Sequence, residues 1–440
     1  MVFRLASLDL LTNEVIKRMI NKFKQTEIPR LNKLYNYYLD NNAVLLRTQE
    51  DETKPNNKIA HPYAKYITDT FTGYFMGEPV VYLSDENIEP YKAILAYNDE
   101  EQENTNLARD CSIFGRAWEE LYIDDDGQIR FTIIDPREVI AVYDEKIDDE
   151  LLAVVRFYEK YNVVDDKTYL IVEVFNKDEV VTYQTGLGVD YLTEIDRKQL
   201  AFGFVPFVLY KNNKDDLGDY EEVLTLIDAY DSLVSDGIND FDYFCDAYLA
   251  LYGYTADSDD IAQMKKNRVL LMDQGTNAEF LIKNGDSAGL ETTKSRLEKD
   301  IHKFAFVPNS SDESFSGNTS GVAMRYKLLG TENVASIKEQ YFRKALTNRA
   351  EIISTMMPKF RLPSFDFRGL TINFTRNLPV NEDDVTAMVK NLNGVVSKET
   401  LLAQLPFVTD AKEELDRLQK EQAQSVYNLV GYKKQQTESE

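Results

Sequence analysis

The chain has little of what small-molecule chemistry usually needs. Only two histidines, His61 and His302, stand in 440 residues. Imidazole-activated nucleophiles and multi-histidine metal sites therefore have almost no raw material. The two cysteines, Cys111 and Cys245, cannot build a disulfide framework and fit a reducing compartment. The GxxxxGK[ST] pattern of a triphosphate-binding P-loop is absent. No apolar run approaches the ~18 residues of a membrane span. The N-terminus meets polar Thr12-Asn13-Glu14 before an apolar leader core can form, so no secretory leader is expected. With 12 Pro and 19 Gly, the chain is neither collagenous nor of low complexity.

Acid, by contrast, is plentiful. Seventy-five Asp and Glu against 50 Lys and Arg give a net charge of -25. Such a chain repels polyphosphate, which argues against a DNA binder that works by neutralising phosphates. The 43% hydrophobic and 12% aromatic content is that of a folded protein, and the length suits several substructures.

Hydrophobic periodicity divides the chain. Residues 12–28 have a helical pattern that Pro29 is expected to interrupt, and a second helix with an aromatic stripe follows over 31–39. Residues 47–58 are polar and carry Pro55-Asn56-Asn57, a loop, and 62–75 are helical again. From about 80 to 210 the period falls to two. Strands are expected at 80–83, 117–123, 129–134, 139–143, 151–158, 168–176 and 179–185, in one antiparallel meander with a helix over 103–114 beside it. Asp125-Asp126-Gly127 marks a hairpin turn. Residues 221–252 read as one long amphipathic helix. A small β element at 269–272 and 280–283 and a helix over 290–306 follow. Residues 322–357 form a long helix with a weak point at Gly330. A strand at 370–374 and helices at 383–392, 398–405 and 410–423 complete the pattern, and the end after 432 is expected to fray.

Two constellations stand out. Between Glu221 and Asp260 there is no Lys or Arg. At 100° per residue Asp228, Asp231, Asp242 and Asp246 share one side of the 221–252 helix, opposite Leu224, Ile227, Tyr230, Val234 and Phe241. A solvated polar face is the ordinary reading of such a charge run. The sharper one is that several copies present a negative wall to a shared space. The second constellation is the loop 309–321, made of Ser, Asn and Gly around Phe315. It is longer than most helix–helix connections, as functional loops often are. The helix after it is locally basic, with Arg325, Lys327, Lys338, Arg343, Lys344 and Arg349, and is expected to contact the acidic helix of a neighbour. Asp124-Asp125-Asp126-Gly127 lacks the spaced ligands of a calcium loop. Glu119 and Glu120 could suggest an acidic hydrolase, but adjacent strand positions point to opposite faces.

Several segments together resemble the portal proteins of tailed bacteriophages, in the siphovirus branch that infects Gram-positive bacteria. They are Tyr63-Ala64-Lys65-Tyr66-Ile67 through Gly73-Tyr74-Phe75-Met76-Gly77-Glu78-Pro79-Val80, and Tyr230-Asp231-Ser232-Leu233-Val234-Ser235-Asp236 with Asp246-Ala247-Tyr248-Leu249. Ser316-Gly317-Asn318-Thr319-Ser320-Gly321-Val322-Ala323-Met324-Arg325-Tyr326 and Asn373-Phe374-Thr375-Arg376-Asn377-Leu378-Pro379 complete the set.

The resemblance implies an α+β portal-type subunit, with a β-rich wing, helical stem, small β clip, long tunnel helix and helical crown. By that likeness the wing is 1–219, the stem helices 220–253 and 289–307, and the clip 254–288. The tunnel loop is 308–321, the long helix 322–358, the wing return strand 359–380, the crown 381–427 and a flexible tail 428–440. It implies a homododecameric ring at one capsid vertex, through which double-stranded DNA is packaged and ejected. Asn309, Ser310, Ser311, Phe315, Ser316, Asn318 and Thr319 would face the DNA from the loop. Asp228, Asp231, Asp242 and Asp246 would form an acidic stem face. Implied partners are the terminase large subunit, a head-tail adaptor, and the major capsid and scaffold proteins. No catalytic residue, metal, cofactor or membrane is implied, and the place is the virion, after assembly in the host cytoplasm. The alternative is a minor capsid or head-completion protein.

Overall fold

The computed structural model describes residues 2–49, 54–186, 191–200, 202–245, 248–252, 277–281, 287–309, 326–377, 382–402, 405, 408, 411–412 and 414–421. The first elements in the chain are β1 (Phe3–Leu5), α1 (Asn13–Tyr38), α2 (Tyr63–Met76), β2 (Val81–Leu83), α3 (Glu89–Tyr97) and α4 (Glu100–Phe114). Then come β3 (Arg116–Ile123), β4 (Ile129–Ile134), β5 (Val139–Asp144), β6 (Leu151–Asn162), β7 (Lys167–Phe175), β8 (Glu179–Gly186), β9 (Thr193–Gln199) and β10 (Phe207–Lys211). After them follow α5 (Leu224–Cys245), β11 (Tyr248–Tyr252), β12 (Asn277–Leu281), α6 (Ser287–Phe304), α7 (Leu329–Met356), β13 (Thr371–Asn373), α8 (Glu382–Leu392) and α9 (Lys398–Leu402). Two compact units result. The larger holds Met1–Tyr35, Tyr66–Tyr220 and Phe306–Glu440, and the smaller Asn36–Lys65 and Glu221–Ala305.

In the larger unit the expected single meander is two sheets. One has the order β1-β5-β6-β7-β8-β9, antiparallel except for β1 beside β5. The other is β10-β3-β4. The reason lies in β3, which is buried over most of its length on both faces. Its odd positions Ala117 and Leu121 pack with α4, α7 and α3 residues in one core, and Trp118 packs with Val139, Val154, Phe175 and Phe207 in another. A strand with two apolar faces needs a layer on each side and cannot lie in a sheet open to water. The turn at Asp124 does form: its Oδ1 accepts the backbone N–H of Asp126 and Gln128, and Gly127 takes φ +76°.

Pro29 does not interrupt α1. Ile16, Met19, Ile20, Phe23, Leu31 and Leu34 are all buried and keep one helical phase across the proline. Burying that continuous stripe outweighs the missing N–H and the clash that Pro brings, a cost of roughly 3 kcal/mol. The end of α4 needs glycine on two counts. Gly115 adopts φ +83°, and a Cβ there would sit 1.9 Å from the carbonyl oxygen of Asp216.

Deep in the same unit lies an ion pair between elements far apart in the chain. Arg349 of α7 is fully buried and forks onto Glu119 of β3, Nη2 to Oε1 at 2.6 Å and Nε to Oε2 at 2.9 Å. Its Nη1 donates to Glu100 of α4 at 3.3 Å, and its guanidinium lies 4.5 Å from the Phe131 ring centre. The hydroxyl of Tyr210 donates to Glu119 at 3.0 Å and that of Tyr82 to Glu100 at 2.5 Å, while Asn104 also donates to Glu100. Burial alone would drive Arg349 towards neutrality, but Glu119 outweighs it and holds the guanidinium protonated. Burial pushes Glu100 above the usual carboxylate range, with Arg349 opposing. Lys338 is likewise buried, on Asp219. Two of the basic residues expected to form a subunit surface are thus internal, and Arg325 lies outside the described residues. Those two charges are spent on the core, whereas Lys327 and Lys344 stay exposed.

In the smaller unit the expected helix over 221–252 ends at Cys245. Tyr248-Leu249-Ala250-Leu251-Tyr252 suits either period, and pairing with Asn277–Leu281 makes it a strand. The expected strand at 269–272 lies outside the described residues. Gly237 of α5 meets α6 closely, a Cβ there lying 3.3 Å from Leu290 Cδ1. The expected helix over 410–423 is helical at 411–412 and 414–421, and the tail from 428 lies outside the described residues.

Replacing Arg349 by Met leaves Glu119 buried without its partner. Chemical denaturation is expected to show a loss of about 3–5 kcal/mol. A second expectation concerns Glu120, on the opposite face of β3 beside Arg156 and Glu173. Burial raises its carboxyl to about 7 from 4.5, against the pull of Arg156. The group binds its proton more tightly folded than unfolded, so its stabilising contribution is full below about pH 4.5 and is lost as pH rises through about 7. Relative to the natural chain, Glu120→Gln should gain stability between pH 5 and pH 8, by up to about 3 kcal/mol in denaturation midpoints.

Candidate functional site

Helix α5 carries the acidic run. Its interior positions Leu224, Ile227 and Tyr230 are buried, as the helical period requires. The acids do not form one face to solvent. Asp231 has no exposed surface, Asp228 is half-buried, and Asp242 is exposed; Asp246 lies outside the described residues. The cause is the segment 36–62, which runs along α5 and supplies donors to it. Tyr37 gives its hydroxyl to Asp228, and Asn42 Nδ2 reaches Asp231 at 2.6 Å. His61 Nδ1 lies 2.7 Å from the other Asp231 oxygen, and Asn57 Nδ2 lies 2.6 Å from Asp242. Arg47 pairs with Asp236. The backbone N–H of Ile59 donates to Ser235 Oγ at 3.0 Å. Burial lifts the Asp231 carboxyl above its ordinary value, and the bonds from Asn42 and His61 hold it back in part. The Tyr37 hydroxyl is raised by burial and by Asp228. His61 is also stacked edge-on against Tyr230 at 4.7 Å, and Tyr63 against Tyr230 at 5.3 Å and His302 at 6.0 Å. Both histidines of the chain are therefore packed in one aromatic cluster of the smaller unit.

Of the expected loop residues, Ser310, Ser311, Phe315, Ser316, Asn318 and Thr319 lie outside the described residues, and Asn309 is half-buried at their border. The stems of that loop are fastened within the larger unit. Tyr66 donates its hydroxyl to the Pro308 carbonyl at 2.7 Å, and Thr331 Oγ1 donates to the Phe306 carbonyl at 2.6 Å. The early turns of α7 are clamped in turn. Arg376 reaches Glu332 at 3.0 Å and Glu339 at 2.7 Å, and the Tyr74 hydroxyl donates to Glu332 at 2.6 Å. Asn377 donates its N–H to the Tyr74 carbonyl at 3.3 Å and lies so near Gly77 that a Cβ there would be 2.6 Å from its Nδ2. Sequence stretches some 300 residues apart thus meet at one point: Gly73–Gly77 and Asn373–Asn377.

These two stretches are among those that resemble the portal proteins, and the comparison with known proteins agrees. A family model described as "Phage portal protein, SPP1 Gp6-like" matches residues 17–427. The chain belongs to this phage portal protein family. The portal protein of Bacillus phage SPP1 is 27% identical over 399 residues, covering 85% of this chain and 78% of that protein. The portal protein of Clostridium phage phiCD119 is 25% identical over 419 residues, covering 86% and 89% respectively. Both infect Gram-positive hosts, as the resemblance implied. The function is that of a phage portal protein, a component of the virion. In this portal chain Glu119 and Glu120 do not converge: Glu119 is bound to Arg349 and Glu120 to Arg156.

The donors to α5 were missed in sequence because they lie 170 to 191 residues upstream, some in a stretch that reads as a polar loop and Tyr37 in an expected helix. Asp231→Ala orphans Asn42 and His61 and is expected to cost about 2–3 kcal/mol in urea unfolding, whereas Asp242→Asn should stay within about 0.5 kcal/mol.

Proposed function

We propose that twelve copies of the chain close into a ring at one capsid vertex and that double-stranded DNA is packaged and ejected through its channel. The observation that supports this reading most directly is the excursion α5–β11–β12–α6. Two helices packed on each other carry a strand pair between them, and the whole excursion belongs, with Asn36–Lys65, to the smaller compact unit. On this reading residues 1–219 and the return strand 359–380 build the wing. Residues 220–253 and 289–307 form the stem, 254–288 the clip, 308–321 the tunnel loop, 322–358 the long helix and 381–427 the crown.

A conduit must admit a polyanion without holding it, because each neutralised phosphate adds a salt-dependent grip. An acidic wall repels over a Debye length of ~8 Å and keeps the duplex moving. Asp231 is spent inside the subunit and Asp228 is half-buried on Tyr37, so of the described acids assigned to the wall Asp242 keeps the exposure it needs, and Asp246 is assigned to the same wall. Asn309, Ser310, Ser311, Phe315, Ser316, Asn318 and Thr319 supply weak contacts that do not depend on base sequence. The subunit performs no hydrolysis; a terminase large subunit docks at the clip and supplies the work. A head-tail adaptor later takes that place, and the wing meets the major capsid and scaffold proteins. Assembly takes place in the host cytoplasm.

Negative-stain microscopy of the purified chain is expected to show rings with a central hole; a chain that stays monomeric at every concentration refutes the reading. Deleting residues 309–321 should leave rings intact and abolish DNA packaging or retention in an infection assay. Packaging at the natural level by that variant would remove the loop from the mechanism.

A further inference from the structure

A groove of about 770 Å³ runs beside β2 in the larger unit. Four consecutive residues, Pro79 to Tyr82, line it. Side chains of a strand alternate between faces, so a wall made of successive residues is the backbone edge of the strand. β2 pairs with β13 on one side, and among the described residues no strand pairs with its other edge. The rest of the lining comes from α3, with Leu95 and Ala96, and from α4, with Gln102 and Thr105. Unpaired N–H and C=O groups along such an edge are a template for a third strand.

The charge left over at the groove is of one sign. Lys92, the one cation in its lining, is paired with Glu89 at 3.2 Å, and Glu100 turns inward to Arg349. Asp99 and Glu101 are exposed, and neither has an ion-pair partner among the described residues. The groove therefore fits an extended segment that brings its own cations. Such a segment lies beyond Glu421, the last described residue. Residues 422–437 contain no Asp or Glu, in a chain of net charge -25. Within them Val426-Tyr427-Asn428-Leu429-Val430-Gly431-Tyr432 has the β-branched and aromatic content of a strand, and Lys433-Lys434 follow at once. Extended, the chain from Glu421 to Tyr432 spans up to roughly 35 Å.

We infer that residues 426–432 add to the open edge of β2 as a third strand, with Lys433 and Lys434 against Asp99 and Glu101. The edge N–H and C=O groups of β2 gain partners, and the apolar side chains of the segment cover Val81 and Ala96. The two lysines neutralise the two exposed carboxylates at the start of α4. Backbone pairing supplies the affinity, and the charges fix which end of the segment lies at α4. The inference does not rest on the ring, because the same segment fills the groove whether it comes from its own copy or from a neighbour. It ties the C-terminal end of the chain to β2 and α4, which carry Tyr82 and Glu100 of the Arg349 network.

Hydrogen exchange of the full-length protein, read by mass spectrometry, tests it. Amides of 426–432 should exchange about tenfold or more slowly than those of an unstructured peptide. Leu429→Asp with Val430→Asp should speed exchange at 426–432 and at 80–83 together. Asp99→Asn with Glu101→Lys should also free the tail; Asn is chosen because residue 99 has φ +50°, which Asn tolerates. Adding Lys433→Glu and Lys434→Glu to that variant should restore the slow exchange, which a role of Asp99 and Glu101 in folding alone would not do. Exchange of 426–432 in the natural chain at the rate of a free peptide, assembled or not, overturns the inference. So does slow exchange that persists unchanged in the Asp99→Asn, Glu101→Lys variant, because the segment then lies elsewhere. Slowing at 80–83 that appears only on addition of the major capsid protein assigns the groove to that partner and likewise overturns it.

Discussion

The larger unit depends on one buried guanidinium. Arg349 joins α7 to β3 and α4 through Glu119 and Glu100, and the tyrosines of β2 and β10 complete the coordination. A buried pair adds little net stability compared with apolar residues of the same volume, but a half-pair is very unfavourable. The network therefore acts by exclusion. Any packing of α7 that moves Arg349 away from Glu119 strands a charge in the core, so the register of a 28-residue helix on the sheet is set by one side chain. The clamp of Arg376 on Glu332 and Glu339 sets the other end of the same helix. Between the two ion pairs α7 has no freedom to slide, and the loop stem pinned by Thr331 inherits that rigidity.

A second economy appears in the smaller unit. An acidic helix in an acidic chain invites the idea of a repulsive wall, and repulsion is what a DNA conduit wants. Yet a carboxylate facing the subunit's own segment 36–62 repels nothing outside it. Asp231, accepting from Asn42 and standing beside His61, works as an internal strut, and Asp236 engages Arg47. The charge that the described part of α5 presents outside its own subunit is thus set by which acids remain exposed. Net charge governs solubility and long-range repulsion, whereas the local field is decided by burial and pairing.

Most element positions were legible because both periods are strong. The strands from 117 to 185 and the helices at 62–75, 290–306 and 383–392 follow the apolar spacing to within a few residues. The helix α3 and the strands β9 and β10 were not foreseen. Strand β9 is exposed along its whole length and has no apolar alternation to read. The end of α5 was misplaced because Tyr248–Tyr252 satisfies both periods and its partner strand lies 25 residues further on. Pro29 was read as a break because a local rule was applied where a long buried stripe overrides it.

By itself the sequence determined the class of mixed helix and sheet, the scarcity of histidine and cysteine, the acidic balance and the family. Each of these is a property of composition, of short-range period or of ordered local patterns, which survive without knowledge of contacts. Only the tertiary structure decided which charges are structural. Arg349 and Asp231 sit on helices whose sequence would suit a solvated face, and nothing nearby in the chain announces Glu119 or Asn42. Burial of a charge depends on the arrival of a partner from afar, and distance along the chain carries no record of it.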